Sequence, residues 1–154
     1  MSDSIESRLA DKNITLPEAA APAANYLPYT ISGNQLFISG QLPMIDGAFT
    51  AKGQLGHSVT VEQGVAAAET CAINILAQAK AALGDLSRIK QVVKISGFVS
   101  STPDFYEQHL VINGASNLLA EILADAGKHA RAAVGMSSLP FNASVEIDAI
   151  IEFE

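Results

Sequence analysis

The end of the chain alternates between apolar and polar side chains, and this pattern constrains the fold more than any other feature of the sequence. The apolar positions are Val145, Ile147, Ala149, Ile151 and Phe153, and the polar positions are Glu146, Asp148 and Glu152. A period of two residues is typical of a β-strand with one face buried. Because an apolar sheet face must pack against another layer, the pattern predicts a sheet that is covered by helices or by a second sheet.

Further strands are predicted upstream of this one. Two β-rich segments, residues 29–32 and 35–39, flank Gly33-Asn34, a pair that tolerates the backbone angles of a tight hairpin turn. Residues 46–56 are interrupted by glycines and predict a loop with one short strand. Residues 89–99 predict a central strand with Val93, Ile95 and Val99 on one face and Lys94 and Ser96 on the other.

Three segments have helical patterns. Residues 2–12 predict a short amphipathic helix, and the proline-containing segment 16–28 that follows favours an extended arm. Thr60 and Gln63 form a capping-box pattern ahead of a long alanine-rich helix, which Gly84 ends. The segment 101–104 is predicted to begin another helix, which runs to about Ala126 and stops at Gly127.

The order hairpin, helix, strand, helix, strand, strand predicts an α+β domain of two layers, a mixed sheet covered by two helices. We place an N-terminal extension at residues 1–25 and a single domain at residues 26–154. The segment after Arg131 reads as a buried strand that is apolar on both faces, so identical subunits are expected to cover its far side. A composition of 49% hydrophobic and 16% charged residues also favours an oligomer.

Composition excludes several classes of function. The net charge of −7 disfavours nucleic-acid binding, which depends on basic side chains. No apolar run is long enough to span a membrane, and the polar N-terminus is unlike a signal sequence, so we expect a cytoplasmic protein. The scattered histidines His57, His109 and His129 predict no metal site, and Cys71 fits a buried core position.

Arg131 stands out because it opens an apolar run. A guanidinium in such surroundings is costly unless it is paired with an anion. Glu146 or Asp148 could form a structural ion pair with it. The planar fork also suits a ligand carboxylate, which it would bind through two parallel hydrogen bonds.

Several short motifs together resemble the reactive intermediate deaminase (Rid) superfamily, also called YjgF-like or L-PSP endoribonuclease-like. The matching residues run nearly end to end from residue 26: they are Pro28-Tyr29, Gly33-Asn34, Ser39-Gly40-Gln41-Leu42-Pro43, Asn74, Val92-Val93-Lys94, Arg131, Leu139-Pro140 and Val145-Glu146-Ile147. The motifs are weak singly and specific in this order and spacing. The resemblance implies a chorismate-mutase-like fold and a homotrimer whose sheets form a central barrel, with sites in the clefts between subunits.

The resemblance also implies a function. It implies deaminase activity that hydrolyses reactive enamine or imine intermediates to 2-keto acids and ammonia, with a small carboxylate as substrate and no cofactor. Arg131 would anchor the substrate carboxylate, and Glu146 would direct the attacking water. The Ala133 carbonyl would accept a hydrogen bond from the imine nitrogen, and Tyr29, Ser39, Gly40 and Asn113 would line the pocket.

The sequence departs from the family pattern at two positions beside the arginine. Proline often stands two residues before it and cysteine two residues after it, whereas this chain has His129 and Ala133. Substrate identity is therefore left open. A trimer that binds a small carboxylate for regulation, without catalysis, is the alternative, and the ribonuclease suggested by the family label is disfavoured because the chain has no basic groove.

Overall fold

The computed structural model describes residues 3–22 and 24–154, and a five-stranded mixed sheet is its centre. The strand order is β1-β2-β7-β5-β6, and all neighbouring pairs are antiparallel except β5 and β6. The strands are β1 Tyr29–Ser32, β2 Gln35–Gln41, β5 Ile89–Ser100, β6 Ala130–Met136 and β7 Val145–Phe153. A separate small hairpin consists of β3 Met44–Ile45 and β4 Ala48–Phe49.

The strand predicted from the alternation at the end of the chain is confirmed as β7. In β7 the residues Val145, Ile147 and Ile151 are completely buried, whereas Glu146 and Asp148 on the other face are half-buried. The strand lies third in the sheet, between β2 and β5. The sheet therefore has one face that this chain covers, called here the covered face, and one that it does not, called the open face.

The described residues form three α-helices: α1 Ile5–Asp11, α2 Val61–Leu83 and α3 Gln108–Leu123. The capping box predicted at Thr60 and Gln63 is formed, and Gly84 ends α2 with a positive φ, as expected. Close packing of α2 on α3 depends on Gly114, where a Cβ would lie 2.2 Å from the backbone oxygen of Val65. The two longer helices lie against the covered face and fill the hydrophobic core.

The start predicted for α3 is wrong. Residues 101–102 continue strand-like contacts, because the Ser101 amide donates to the Met136 carbonyl and the Thr102 amide donates to the Leu55 carbonyl. These bonds hold the backbone extended, so the helix begins only at Gln108. At the other end, α3 stops at Leu123, and a 3₁₀ turn, Ala124–Gly127, follows.

The N-terminal segment packs on α3. Ser4 caps α1 through a capping box, Leu9 is buried in the core, and the Nε of Arg8 donates to the Ile122 carbonyl at 2.7 Å. The helix predicted over residues 2–12 is thus confirmed between Ile5 and Asp11, while Ser2 lies outside the described residues. The proposed boundary between residues 25 and 26 stays a prediction, and its extension includes Met1, Ser2 and Ala23, which are also outside them.

One local prediction for the sheet is also wrong. The register of β5 against β7 shifts between Val92 and Lys94, so Val93 occupies a bulge and is 36% exposed, while Val92 takes the buried position. Residues 46–56 hold one short strand, β4, as predicted, and β4 forms a hairpin with β3, which lies just before them. Asp46 and Gly47 make its turn, and both have positive φ.

The open face carries apolar side chains that this chain leaves uncovered. Phe37, Val134 and Met136 are 38%, 42% and 36% exposed. The strand after Arg131 was predicted to be buried, but most of β6 is exposed in the single chain. Cys71 is buried, as predicted, and burial raises the pKa of its thiol well above the ordinary value.

No helix among the described residues is long and apolar enough to cross a membrane.

Candidate functional site

Arg131 is the second residue of β6 and faces α3 on the covered side of the sheet. It pairs in register with Ile95, which is completely buried on that side. Its Nη1 donates to the Ser116 hydroxyl at 3.1 Å, and its Nη2 donates to the His109 carbonyl at 3.1 Å. Both acceptors belong to α3 and are neutral. The guanidinium is therefore fixed at two points without being neutralised by either of them.

The structural ion pair considered for Arg131 is absent from the described part of the chain. The ion pairs there join Arg8 to Asp3, Lys12 to Glu121, Lys90 to Glu152 and Lys128 to Asp125. Arg131 faces α3, whereas Glu146 and Asp148 lie on the open face, so neither carboxylate of the same chain reaches it. A guanidinium also has more N–H donors than the two used here, and the others remain for a ligand.

Glu146 lies over Gly40 on the open face. A Cβ at position 40 would meet the Glu146 Oε2 at 2.5 Å, so the carboxylate occupies the space that a side chain on β2 would otherwise fill. Burial raises the pKa of Glu146 above its ordinary value, and the negative charge of Asp148 raises it further. A carboxylate with a raised pKa is a stronger base, which suits a group that accepts a proton from water.

The bulge in β2 brings Ser39 and Gly40 to the base of the N-terminal arm. The register against β7 shifts between Ile38 and Gln41, and the Ser39 hydroxyl donates to the Leu27 carbonyl at 2.7 Å. Both residues line a cavity of about 350 Å³ beneath the arm, together with Tyr26, Asn74 and Gln78 among others. Neither Arg131 nor Glu146 lines this cavity, so the role predicted for Ser39 and Gly40 in a substrate pocket stays a prediction.

Tyr29 and Asn113 lie elsewhere. Tyr29 pairs with Ile38, packs against the core on the covered side and belongs to β1, at the opposite edge of the sheet from Arg131. Four strand spacings separate these two edges, which is about 19 Å. Asn113 lines a second groove, of about 310 Å³, between α2, α3 and the segment around Lys12.

The predicted site residues thus form two groups in the single chain. Arg131 and Ala133 lie two residues apart on one side of β6, and Ala133 packs against the core. Glu146, Gly40 and Ser39 form the other group. No cluster of metal-ligating side chains occurs among residues 3–22 and 24–154.

Two residues beside Arg131 carry a contact that the sequence did not predict. The Ser116 hydroxyl lies 2.9 Å from the His129 Nε2, and the His129 Nδ1 lies 2.6 Å from the Gly127 carbonyl oxygen. His129 precedes Arg131 by two positions in an extended segment, which puts both side chains on the same side. That spacing was a signal in the sequence, but Ser116 comes close only through the packing of α3.

Known proteins match the chain over nearly its whole length. The family described as "YjgF/chorismate mutase-like, putative endoribonuclease" matches residues 6–152. "Protein TCP17" of Trypanosoma cruzi is 51% identical over 149 residues, which are 96% of this chain and 93% of that protein.

Solved structures also match the chain over nearly its whole length. The crystal structure of the protein Atu1372 from Agrobacterium tumefaciens, described as of unknown function, is 62% identical to this chain. The match covers 97% of this chain and 92% of that chain, with a TM-score of 0.92. A crystal structure from Shewanella oneidensis, described as "a putative endoribonuclease", is 39% identical, and the match covers 98% of this chain and 100% of that chain with a TM-score of 0.95. The chain therefore belongs to the YjgF/chorismate mutase-like family, the Rid superfamily that its motifs resemble.

Proposed function

We propose that the protein is a deaminase that hydrolyses small 2-imino acids, formed from reactive enamines, to 2-keto acids and ammonia. The observation that carries the proposal is the state of Arg131. Its guanidinium is oriented by the neutral acceptors Ser116 and His109, and no carboxylate among the described residues pairs with it. A fixed and unneutralised fork suits a substrate carboxylate.

In this proposal two copies of the chain complete the site. Arg131 and Ala133 lie at the β6 edge, while Glu146 with Gly40 and Ser39 lies toward the other edge, and Tyr29 belongs to the far edge strand. We assign Arg131 and Ala133 to one copy and Glu146, Gly40, Ser39 and Tyr29 to its neighbour. The uncovered apolar side chains of the open face support a homotrimer with a central barrel, because such surface is normally buried by a partner.

The reaction needs a bound carboxylate, a positioned imine and an activated water. Arg131 anchors the carboxylate, and the Ala133 carbonyl accepts a hydrogen bond from the imine nitrogen. Glu146 accepts a proton from water while the water oxygen bonds to the C=N carbon; the π electrons of the C=N bond move to nitrogen, which takes up that proton, and a carbinolamine forms. A second proton then passes from the carbinolamine hydroxyl to nitrogen through Glu146, and the C–N bond breaks as the C=O bond forms, so that ammonia leaves and the keto acid remains. Imines of this kind also hydrolyse in water, so proximity and orientation supply most of the acceleration.

The test is keto-acid formation from freshly generated 2-aminoacrylate. The wild-type protein is expected to speed the reaction, and Arg131→Ala to lose at least about 100-fold, because two charge-assisted hydrogen bonds to the carboxylate disappear. Arg131→Lys should restore little, since an ammonium lacks the fork. Arg88→Lys is the matched control, because Arg88 donates to the Glu154 and Leu83 carbonyls away from the site. Equal rates for wild type and Arg131→Ala would reject the proposal.

A second candidate is a trimer that binds a small carboxylate for regulation, without turnover. The observation that favours it is the separation of Arg131 and Glu146 on opposite faces of the sheet within one chain, which gives an anion anchor with no base beside it. Calorimetric titration with pyruvate separates the two candidates. Binding that depends on Arg131 without any acceleration of imine hydrolysis supports the regulatory role.

A further inference from the structure

We infer that Ser116 and His129 are positioning residues that hold the Arg131 guanidinium ready for an anionic ligand. The inference rests on the proposed function only in the identity of that ligand. The contacts themselves are a chain of four hydrogen bonds around one arginine. We refer to Ser116, His129 and the Gly127 carbonyl together as the serine–histidine relay.

The direction of each bond follows from chemistry. A carbonyl oxygen only accepts, so the proton that joins His129 to Gly127, at 2.6 Å, is on Nδ1. In the neutral ring Nε2 is then unprotonated, and the Ser116 hydroxyl at 2.9 Å must donate to it. The hydroxyl oxygen keeps its lone pairs for the Nη1 of Arg131. Each hydrogen bond in the relay therefore has one direction, and the Ser116 oxygen accepts from Arg131 while its proton is donated to His129.

The placement of the relay explains how it acts at a distance from the ligand. His129 is the second residue after the 3₁₀ turn that ends at Gly127, and Arg131 follows two residues later at the start of β6. Ser116 lies two helical turns after His109 on the same side of α3, so the serine hydroxyl and the His109 carbonyl bind the two ends of the fork. Neither acceptor is charged, so the fork is oriented while its positive charge stays available.

This arrangement should raise the affinity for a carboxylate by removing freedom that the arginine would otherwise lose on binding. Immobilising one long side chain typically changes an association constant about twofold to tenfold. Loss of the serine–histidine relay should weaken ligand binding by that factor, while the fold and the charge of the site stay unchanged. Ser116 and His129 need not touch the ligand for this effect.

Calorimetric titration of the full-length protein with pyruvate tests the inference. Ser116→Ala and His129→Phe are each expected to weaken binding about twofold to tenfold. The double variant should bind no more weakly than either single variant, because both changes break the same unit. Ser116→Thr keeps the hydroxyl and should bind like the wild type, as should the control His57→Phe at an exposed histidine. Wild-type affinity in Ser116→Ala, with binding lost in Arg131→Ala, would overturn the inference and leave the proposed function standing.

A second measurement does not depend on any ligand. The chain has only the arginines Arg8, Arg88 and Arg131, so their side-chain NMR signals can be assigned by substitution. A guanidinium held at both ends should give separate Nη1 and Nη2 signals for Arg131 in the wild type, and Ser116→Ala should average them. Separate signals that merge in the variant support the relay even if pyruvate does not bind, an outcome that would count against the proposed function alone. Averaged signals in the wild type would overturn the relay.

Discussion

The covered and open faces of the sheet are built from the same strands and differ in what meets them. On the covered face, Ile95, Ile147 and Ile151 are completely buried under α2 and α3. On the open face, Phe37, Val134 and Met136 keep a third or more of their surface exposed. The chain thus supplies a full second layer for one face and none for the other. Alternation in the sequence identifies the two faces of a strand. Which of these residues stabilise the single chain depends on whether helices of the same chain cover their face.

Two isoleucines of β7 give the largest expected contrast. Ile147→Ala on the covered face should lower the free energy of unfolding by about 2–5 kcal/mol, because it leaves a cavity under the helices. Ile150→Ala on the open face should cost less per chain and instead weaken assembly. Urea unfolding and sedimentation of both variants measure these effects. An equal loss of stability without any change in assembly would break the comparison.

A charge on the open face should oppose assembly. Val134→Asp puts a carboxylate among exposed apolar side chains, so association should weaken more than tenfold, the effect of about 1.4 kcal/mol or more. Sedimentation should then detect the single chain of 16.1 kDa. Ser138→Asp, in an exposed loop, is the control and should assemble like the wild type. A wild-type protein that sediments as a single chain would contradict the proposed trimer.

Neighbouring valines of β5 offer a smaller and closely matched contrast. Val92→Thr buries a hydroxyl on the covered face and should cost about 1–3 kcal/mol. Val93→Thr changes the exposed bulge residue to one of similar shape, and the free energy of unfolding should change by less than about 0.5 kcal/mol. Thermal unfolding of both variants measures the difference. If Val93→Thr were the more damaging change, the bulge would be placed wrongly.

Replacing Glu146 on the open face should change the free energy of unfolding least, and the change should depend on pH. The pKa of Glu146 is raised in the folded protein, so folding favours its protonated form. The resulting stabilisation of the folded state is fully present at pH values below the ordinary pKa of 4.5. That stability is lost as pH rises through the raised pKa. Glu146→Gln should therefore unfold like the wild type at low pH and be more stable at neutral pH by at most about 1 kcal/mol. A variant that is less stable than the wild type at neutral pH would contradict the raised pKa.

The strands and the family could be predicted from the sequence because their signals are local. The alternation of β7, the Gly33-Asn34 hairpin turn and the Thr60 capping box each depend on residues that lie close together in the chain. The same locality explains the errors. The bulge at Val93 depends on the register against β7, and the late start of α3 depends on bonds from residues 101–102 to distant strands and loops.

The candidate site was predictable in type but not in arrangement. An arginine inside an apolar run indicates an anion site, and Glu146 lies on the polar side of an alternating strand. The sequence does not specify that these two residues point to opposite faces, because that requires the pairing of β6 with β5 and of β5 with β7. Ser116 was missed for a related reason, since its partners His129 and Arg131 lie 13 and 15 residues later in the chain and meet it only through the packing of α3.

The position of β6 has a consequence for how the protein behaves when it is diluted or damaged. This strand ends the sheet, its backbone is unpaired on the outer side within the described sheet, and its one charged side chain, Arg131, is turned inward toward α3. Natural edge strands commonly carry outward charges or prolines that keep other strands away, and β6 has neither. A single chain is therefore expected to aggregate through this strand, and in the proposed trimer association would also limit that aggregation.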